Sequence, residues 1–254
     1  MRTLAVDVGG SHVKASVLDP DGRLLHEAQR LDTPEGLTPR RLVKMIVQLA
    51  EPMPSFDRVS VGFPGVIRRG VVRTAANLGT ERFAGFDLEA AVSKALGKPT
   101  RVCNDADVQG YAAVSGKGLE MVITLGTGFG SSIFVNGQLG VHLELAHHCF
   151  HGHKTYEDML GDAALHRIGK KAWNKELARA IETLRALTDF DHLYIGGGNA
   201  RLVRLELPKD VSTVDNIAGI VGGVRLWHDA PPKIGSRKVK RRVAKRRVAA
   251  RGKR

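Results

Sequence analysis

Short apolar runs alternate with glycine- and proline-bearing turns from the first residues of this chain. Thr3–Val6 is apolar, Asp7-Val-Gly-Gly-Ser11 interrupts it, and Val13–Leu18 resumes it. That pattern predicts strand, tight turn and strand. Asp19-Pro-Asp-Gly22 is turn chemistry, and Leu24–Gln29 reads as a third strand of a meander. Thr38 and Pro39 then have the residue types of an N-cap and a first helical position, and Leu42, Met45, Ile46 and Leu49 recur at helical spacing. Arg58–Gly62 predicts a strand ending at Phe63-Pro64-Gly65, and Gly70–Arg73 with the segment to Asn77 predicts a hairpin and loop. Leu88–Leu96 is a short helix closed by Gly97 and Pro99. The strand Thr100–Cys103 delivers Asn104 and Asp105 to a helix near 106–115.

The pattern then restarts. Met121–Leu125 is a strand, Gly126–Gly130 a turn and Ser132–Val135 a strand, with Asn136-Gly137 as a hairpin signal. Leu177, Ile181, Leu184 and Leu187 mark a later helix, followed by strand His192–Ile195, the loop Gly196–Ala200 and an amphipathic segment Asn216–Trp227. Strand, glycine turn and strand therefore occur twice, near residues 7 and 126, which predicts an α/β protein of two related lobes. We place the N-terminal lobe at 1–112 and the C-terminal lobe at 113–232.

Composition changes this picture in one place. The 254-residue chain has a net charge of +13, yet Lys233–Arg254 holds 12 Lys and Arg and no acid, so removing those 12 leaves residues 1–232 at +1. The basicity belongs to a tail, for which we expect disorder and at most non-specific contact with nucleic acid. No apolar run is long enough for a transmembrane helix and no signal peptide is evident, so no membrane association is expected. With only two cysteines, Cys103 and Cys149, a reducing, cytoplasmic setting is expected.

Candidate chemistry centres on Arg101–Asp107, RVCNDAD, which lies between two glycine-rich stretches, VDVGGSHVK and TLGTGFGSS. Gly9 and Gly10 allow backbone N–H groups to approach phosphate oxygens, with Ser11 and Lys14 adding a hydroxyl and a charge. Asp7 is placed to hold Mg²⁺ through water. Gly126, Thr127, Gly128 and Gly130 suit a second phosphate, and Gly197 and Gly198 lie in a loop between a strand and an expected helix, whose N-terminus would favour an anion. Singly, each loop reads equally well as an ordinary turn. Together they suggest phosphoryl transfer to a hydroxyl, with Asp105 taking the proton. Asp105 also suits a plain helix N-cap, and Asn104 a turn. In ELAHHCF, Glu144 and His147 could share one ligand if that segment makes a helical turn. Sugar hydroxyls suit that pair better than zinc, and Glu157 alone reads as a surface charge.

Taken in order, VDVGGSHVK, GFPGV at 62–66, NDAD at 104–107, TLGTGFGS, ELAHH, Glu157 and IGGGNA resemble the ROK-family sugar kinases, closest to the polyphosphate glucokinase branch, over residues 3–228. The resemblance implies an actin-like (RNase H-like) ATPase fold, two lobes around a central cleft, and phosphorylation of glucose at its 6-hydroxyl with Mg²⁺. Asp105 would be the catalytic base. Asn104, Glu144, His147 and Glu157 would hold the sugar, and the loops at 7–14, 126–130 and 197–198 the phosphates. The donor would be polyphosphate or ATP, and the assembly a homodimer.

Two departures from the family pattern matter. The CxCGxxGC motif is missing, so no zinc is expected, and Ala146 replaces the usual glycine before the sugar-binding histidine, which bears on the choice of hexose. The alternatives are an ATP-dependent hexokinase for another sugar, a catalytically silent sugar sensor, and a polyanion binder. Related repressors carry a helix-turn-helix domain ahead of the phosphate loop, for which the stretch before Asp7 leaves no room.

Overall fold

The computed structural model describes residues 1–75, 78–214 and 218–227. The expectations for the tail 233–254, for Asn77 and for Asn216 lie outside those residues.

The elements run in the order β1 (Thr3–Val8), β2 (His12–Leu18), β3 (Gln29–Asp32), α1 (Pro39–Ala50), β4 (Arg58–Phe63), β5 (Ile67–Arg68), β6 (Val71–Val72), α2 (Thr80–Phe83), α3 (Leu88–Leu96), β7 (Thr100–Asn104) and α4 (Asp105–Ala113). There follow β8 (Leu119–Leu125), β9 (Phe129–Val135), β10 (Gln138–Leu139), a 3₁₀ turn (Leu145–His147), β11 (Cys149–His151), β12 (Lys154–Thr155), α5 (Tyr156–Leu160) and α6 (Asp162–Thr188). The chain continues through β13 (His192–Gly196), a 3₁₀ turn (Ala200–Leu202), β14 (Val211–Thr213), α7 (Ala218–Val221) and a final 3₁₀ segment (Gly222–Trp227).

Two five-stranded sheets share one plan. The first has the order β3-β2-β1-β4-β7 and the second β10-β9-β8-β13-β14. In each, an antiparallel hairpin (β1–β2, β8–β9) meets two parallel strands added on its first member. The recurrence of strand, glycine turn and strand in the sequence thus reflects a repeated topology. Parallel addition requires crossovers, and helices supply several of them. Apolar α1 and α3 cover the first sheet, while α5 and α6 bury Tyr156, Leu160, Trp173, Leu177 and Ile181 against the second.

Local chemistry accounts for most boundaries. The Thr38 hydroxyl accepts a hydrogen bond from the Arg41 N–H at the start of α1, and Leu42, Met45, Ile46 and Leu49 are all buried. Gly97 ends α3 in the left-handed conformation, φ 63°. Asn136 and Gly137, φ 51° and 77°, turn β9 into β10 with the paired positive φ values of a type I′ hairpin.

Four expectations shift. The third strand is Gln29–Asp32, not Leu24–Gln29; Leu24 makes an isolated bridge to Leu18, and Leu24 and Leu25 are exposed because the Asp19–Arg23 turn consumes the residues that would have set their register. Phe129 and Gly130 already belong to β9, so the second turn is shorter than Gly126–Gly130. The helix marked by Leu177 begins far earlier, at Asp162, with a break at Gly169, and Leu187 is 61% exposed rather than part of its buried stripe. Finally, the Gly196–Ala200 loop leads into a single 3₁₀ turn and not a helix, so no helix dipole stands behind it.

Helix α4 joins the two halves. It packs on β4 and β7 of the first sheet, on β8 and β9 of the second, and on α7 and the final segment. A Cβ on Gly222 would overlap the Val108 carbonyl oxygen, so the start of the final 3₁₀ segment and α4 meet backbone to backbone there. Beyond that crossing, Trp227 lies between the guanidinium groups of Arg58 and Arg101, at 5.2 and 4.7 Å from its ring centre, and donates to Ser60 Oγ at 2.9 Å. The Ser60 hydroxyl in turn donates to the Gly223 carbonyl at 2.6 Å.

Candidate active site

A cleft of about 270 Å³ is lined from both sheets: by the ends of β1, β4 and β7, by the two glycine turns, and by the loop after β13. Strand direction explains the convergence. β1, β4 and β7 are mutually parallel, as are β8 and β13, so their C-terminal ends open together, where ligands gather in α/β sheets.

At the end of β7 the chain turns into α4, and Asn104 caps the helix: its Oδ1 accepts from the Ala106 N–H at 2.8 Å while its Nδ2 donates to the Gly65 carbonyl at 3.1 Å. Asp105 is the first helical residue, not the cap, although its Oδ1 also accepts from Ala106 N–H at 2.9 Å. Its carboxylate faces the cleft. Burial first, and then the Asp7 carboxylate, push its pKa up to about 7, against the Ala106 N–H that works the other way. A carboxyl at that value is suited to accept a proton near neutral pH. Burial also raises Asp7, which Lys14, its cross-strand partner, opposes.

The first turn is closed by Gly9 N–H donating to His12 O at 2.9 Å. Gly9 and Gly10 line the cleft with Asp7. Ser11 and Lys14 do not: Ser11 is exposed at the hairpin end, and Lys14 stands beside Asp7, on which its charge acts. The second turn brings Gly126, Thr127, Gly128 and Gly130 into the lining. Gly197 and Gly198 lie beside it, because the Asn199 N–H donates to the Leu125 carbonyl and Asp162 N–H to that of Gly126. Gly197 has φ 85° and a Cβ there would strike the Leu125 backbone, so this close approach admits only glycine.

Glu144, His147 and Glu157 complete the wall. The expected turn is real but tighter than an α-helix: Leu145–His147 is 3₁₀, with Glu144 immediately before it. Glu157 lies in the first turn of α5, fixed by a reciprocal Thr155–Asp158 cap, and its Oε2 accepts from the Phe129 N–H at 3.3 Å. Ala146 also lines the cleft, while it is buried and belongs to the apolar core behind the second sheet. Thr74 and Gln109 also line the cleft and were not singled out from the sequence. Gln109 was readable, being one helical turn beyond Asp105; Thr74 arrives from a loop with no local signal.

The arrangement offers a carboxylate base, backbone N–H groups of two glycine turns, and several hydrogen-bonding side chains for a polyhydroxylated molecule. Thiol chemistry is disfavoured, since burial, then Asp107 and Asp105, hold the Cys103 thiol protonated. Among the described residues, no three His, Cys, Asp or Glu side chains group to hold a metal ion, and no helix is long and apolar enough to cross a membrane.

Comparison with known proteins agrees with this geometry. Residues 3–166 match the profile of the ROK family. The chain is 31% identical over 234 residues to a polyphosphate glucokinase of Mycobacterium tuberculosis (strain CDC 1551 / Oshkosh), covering 85% of this chain and 88% of that protein. Among solved structures, the inorganic polyphosphate/ATP-glucomannokinase of Arthrobacter sp. strain KM superposes with a TM-score of 0.78 at 30% identity, covering 88% and 96% of the two chains. A ROK-family glucokinase from Streptomyces griseus, in complex with glucose and AMPPNP, superposes with a TM-score of 0.72 at 20% identity, covering 89% and 99%. The fold is the actin-like ATPase fold of these neighbours.

Proposed function

This chain belongs to the ROK family and is a sugar kinase of that family; from that premise we propose that it carries a phosphoryl group from inorganic polyphosphate or ATP to the 6-hydroxyl of glucose. The observation that supports this most directly is Asp105, a carboxyl with a pKa of about 7, standing in one cleft with two glycine turns and with Asn104, Glu144, His147 and Glu157.

In this reading those four side chains hydrogen-bond the sugar and bring its 6-hydroxyl into line with the donor, which converts a bimolecular encounter into an oriented one. Asp105 accepts the hydroxyl proton as the new P–O bond forms and the bond to the leaving phosphate breaks. N–H groups of the turns at Gly9–Gly10 and Gly126–Gly128 receive charge on the phosphoryl oxygens. The cleft fits Mg²⁺: Asp7 is a hard oxygen donor, and the burial that raises its pKa marks a carboxylate whose charge a divalent cation would offset. Asp7 would hold Mg²⁺ through water, and the ion would supply charge neutralisation for the transferred phosphate. Closing of two lobes, divided near residue 112, would exclude water as a competing acceptor.

Polyphosphate is favoured as donor by the 30% and 31% identities to proteins that carry it in their names, and the tail 233–254 would capture such a polyanion by counterion release. A second reading, an ATP-dependent kinase for another hexose, rests on Ala146, a cleft residue at the position where the family pattern has glycine. A cytoplasmic homodimer is the setting and assembly the resemblance implies.

The test is initial-rate phosphorylation of glucose, mannose and glucosamine with polyphosphate and, separately, ATP, each with Mg²⁺. Asp105→Asn should keep the fold and lose turnover by roughly 10²–10⁴-fold. Near-wild-type turnover in that variant overturns the assignment of the base.

A further inference from the structure

His142 stands behind the cleft wall between two carboxylates. Its Nε2 is 3.3 Å from Glu144 Oε2, and its Nδ1 is 3.6 Å from Asp107 Oδ2. Glu144 lines the cleft, whereas Asp107 lies in the first turn of α4, two residues beyond Asp105, and is 4% exposed. His142 does not itself line the cleft, and its position just ahead of Glu144 carries no motif that would single it out. Among the described residues it is the ion-pair partner that both acids share.

We propose that His142, as a doubly protonated imidazolium bridging Asp107 and Glu144, is the positioning residue that fixes Glu144 for sugar binding and ties that contact to the helix carrying Asp105. The inference rests on the sugar-kinase reading above. Its physical basis is the donor count. A neutral imidazole has one N–H and one acceptor nitrogen, so it can serve only one of two carboxylates facing opposite ring nitrogens, and its bare nitrogen would repel the other. Only the cation donates to both.

The surroundings favour that cation. Asp107 is buried, and its second oxygen, Oδ1, has no hydrogen-bond partner among the described residues, so an ionised Asp107 depends on His142 for its compensation. The groups that face this unit are Asp107 from α4, and Glu144 with His147 from the segment around the 3₁₀ turn; Asp105 lies beyond Asp107. Hydrogen bonding to Asp107 and then Glu144 raises the His142 pKa to about 10, against the burial that lowers it. His142 in turn holds Glu144 below the usual carboxylate range, as the ion a sugar hydroxyl would donate to. For Asp107 burial is the larger influence and pushes it up, with His142 working against that.

The sign of the pH effect follows. The folded-state pKa of His142 is above its ordinary 6.5, so the bridge is intact at neutral pH and is lost as pH rises through about 10. Glu144 then loses its anchor while Asp105, ionised above about 7, keeps its role. Alkaline pH should therefore raise KM for the sugar and leave kcat nearly level.

The experiment compares wild type with His142→Gln in steady-state kinetics from pH 6 to 10.5, with thermal melts at each pH to exclude unfolding. At pH 8 the variant should show KM for glucose raised about tenfold or more, the loss expected for a charge-assisted contact, with kcat within about threefold. Its KM should be flat where that of wild type climbs near pH 10. An unchanged KM in a folded variant, or a KM in wild type that ignores this range, overturns the proposal. Should wild type phosphorylate no hexose, the function above fails instead, and the bridge is then judged on the protein alone by ¹H–¹⁵N correlation of the His142 ring at pH 8. Two protonated ring nitrogens, falling to one in Asp107→Asn, support it; one protonated nitrogen in wild type overturns it.

Discussion

Asp7 in β1 and Asp105 at the start of α4, just past the end of β7, come from opposite sides of β4 and face one cleft, where the charge on Asp7 is second only to burial in keeping the Asp105 proton bound up to about pH 7. The two acids are coupled, so each can be read through the other.

The activity should accordingly rise with pH as Asp105 ionises. We expect kcat/KM for the sugar to increase between pH 6 and 8 with a midpoint near 7, set by the free enzyme. Replacing Asp7 by Asn removes a negative neighbour and must lower the Asp105 pKa. Titration of the Asp105 carboxyl by ¹³C NMR in the two proteins measures the shift directly, and an unchanged midpoint in Asp7→Asn would remove Asp7 from the account.

Stability should carry the same signature. The folded-state pKa of Asp105 lies above its ordinary 3.8, so the folded protein binds this proton more tightly and loses stability as pH rises from about 4 through about 7. Asp105→Asn, neutral at every pH, escapes that penalty. It should be more stable than wild type by about 1–3 kcal/mol at pH 8 and no more stable near pH 4, as read from urea unfolding at both values. An inactive but stabilised variant would mark a residue kept for chemistry at the expense of folding.

Gly222→Ala tests the crossing of the final 3₁₀ segment over α4. The added methyl would meet the Val108 carbonyl, a backbone atom that cannot swing aside as a side chain would. We expect a loss of about 1–3 kcal/mol, or more, in thermal or denaturant unfolding.

Thr38→Ala provides the contrast. Its hydroxyl caps α1 far from the cleft lining, so the substitution should cost about 1 kcal/mol of stability and leave kcat and KM unchanged. A kinetic change in this variant would show that α1 communicates with the site.

Much of this was legible beforehand where local chemistry decides structure. The Thr38-Pro39 start, the Gly97 stop and the Asn136-Gly137 turn act through nearest neighbours, and each falls where the residue types require. Leu24–Gln29 misled because an apolar run says nothing about which partner it will pair with, and the preceding turn moved the register. Leu187 misled because the helical period continues past the end of the surface it packs on. In the site, the glycine turns and Asp105 announce themselves by composition. Lys14 shows the limit of reading by proximity: the strand pairs it with Asp7, yet it is not among the residues that line the cleft. Thr74 and His142 were invisible for the same reason, since their importance comes from what distant segments bring beside them.

The last described residues complete the first sheet. Trp227 and Gly223 bond to Ser60 in β4, and Val224 packs on Ala5 and Leu18 in β1 and β2. During synthesis the first sheet must therefore wait, with that face bare, until the chain through Trp227 has left the ribosome. Such long sequence separations slow folding and prolong the exposure of unfinished surfaces. A chain truncated shortly before residue 218 would retain every cleft residue named above and still lack the strap that closes its oldest part, so the integrity of the N-terminal half is inspected, in effect, only after the second sheet has been made.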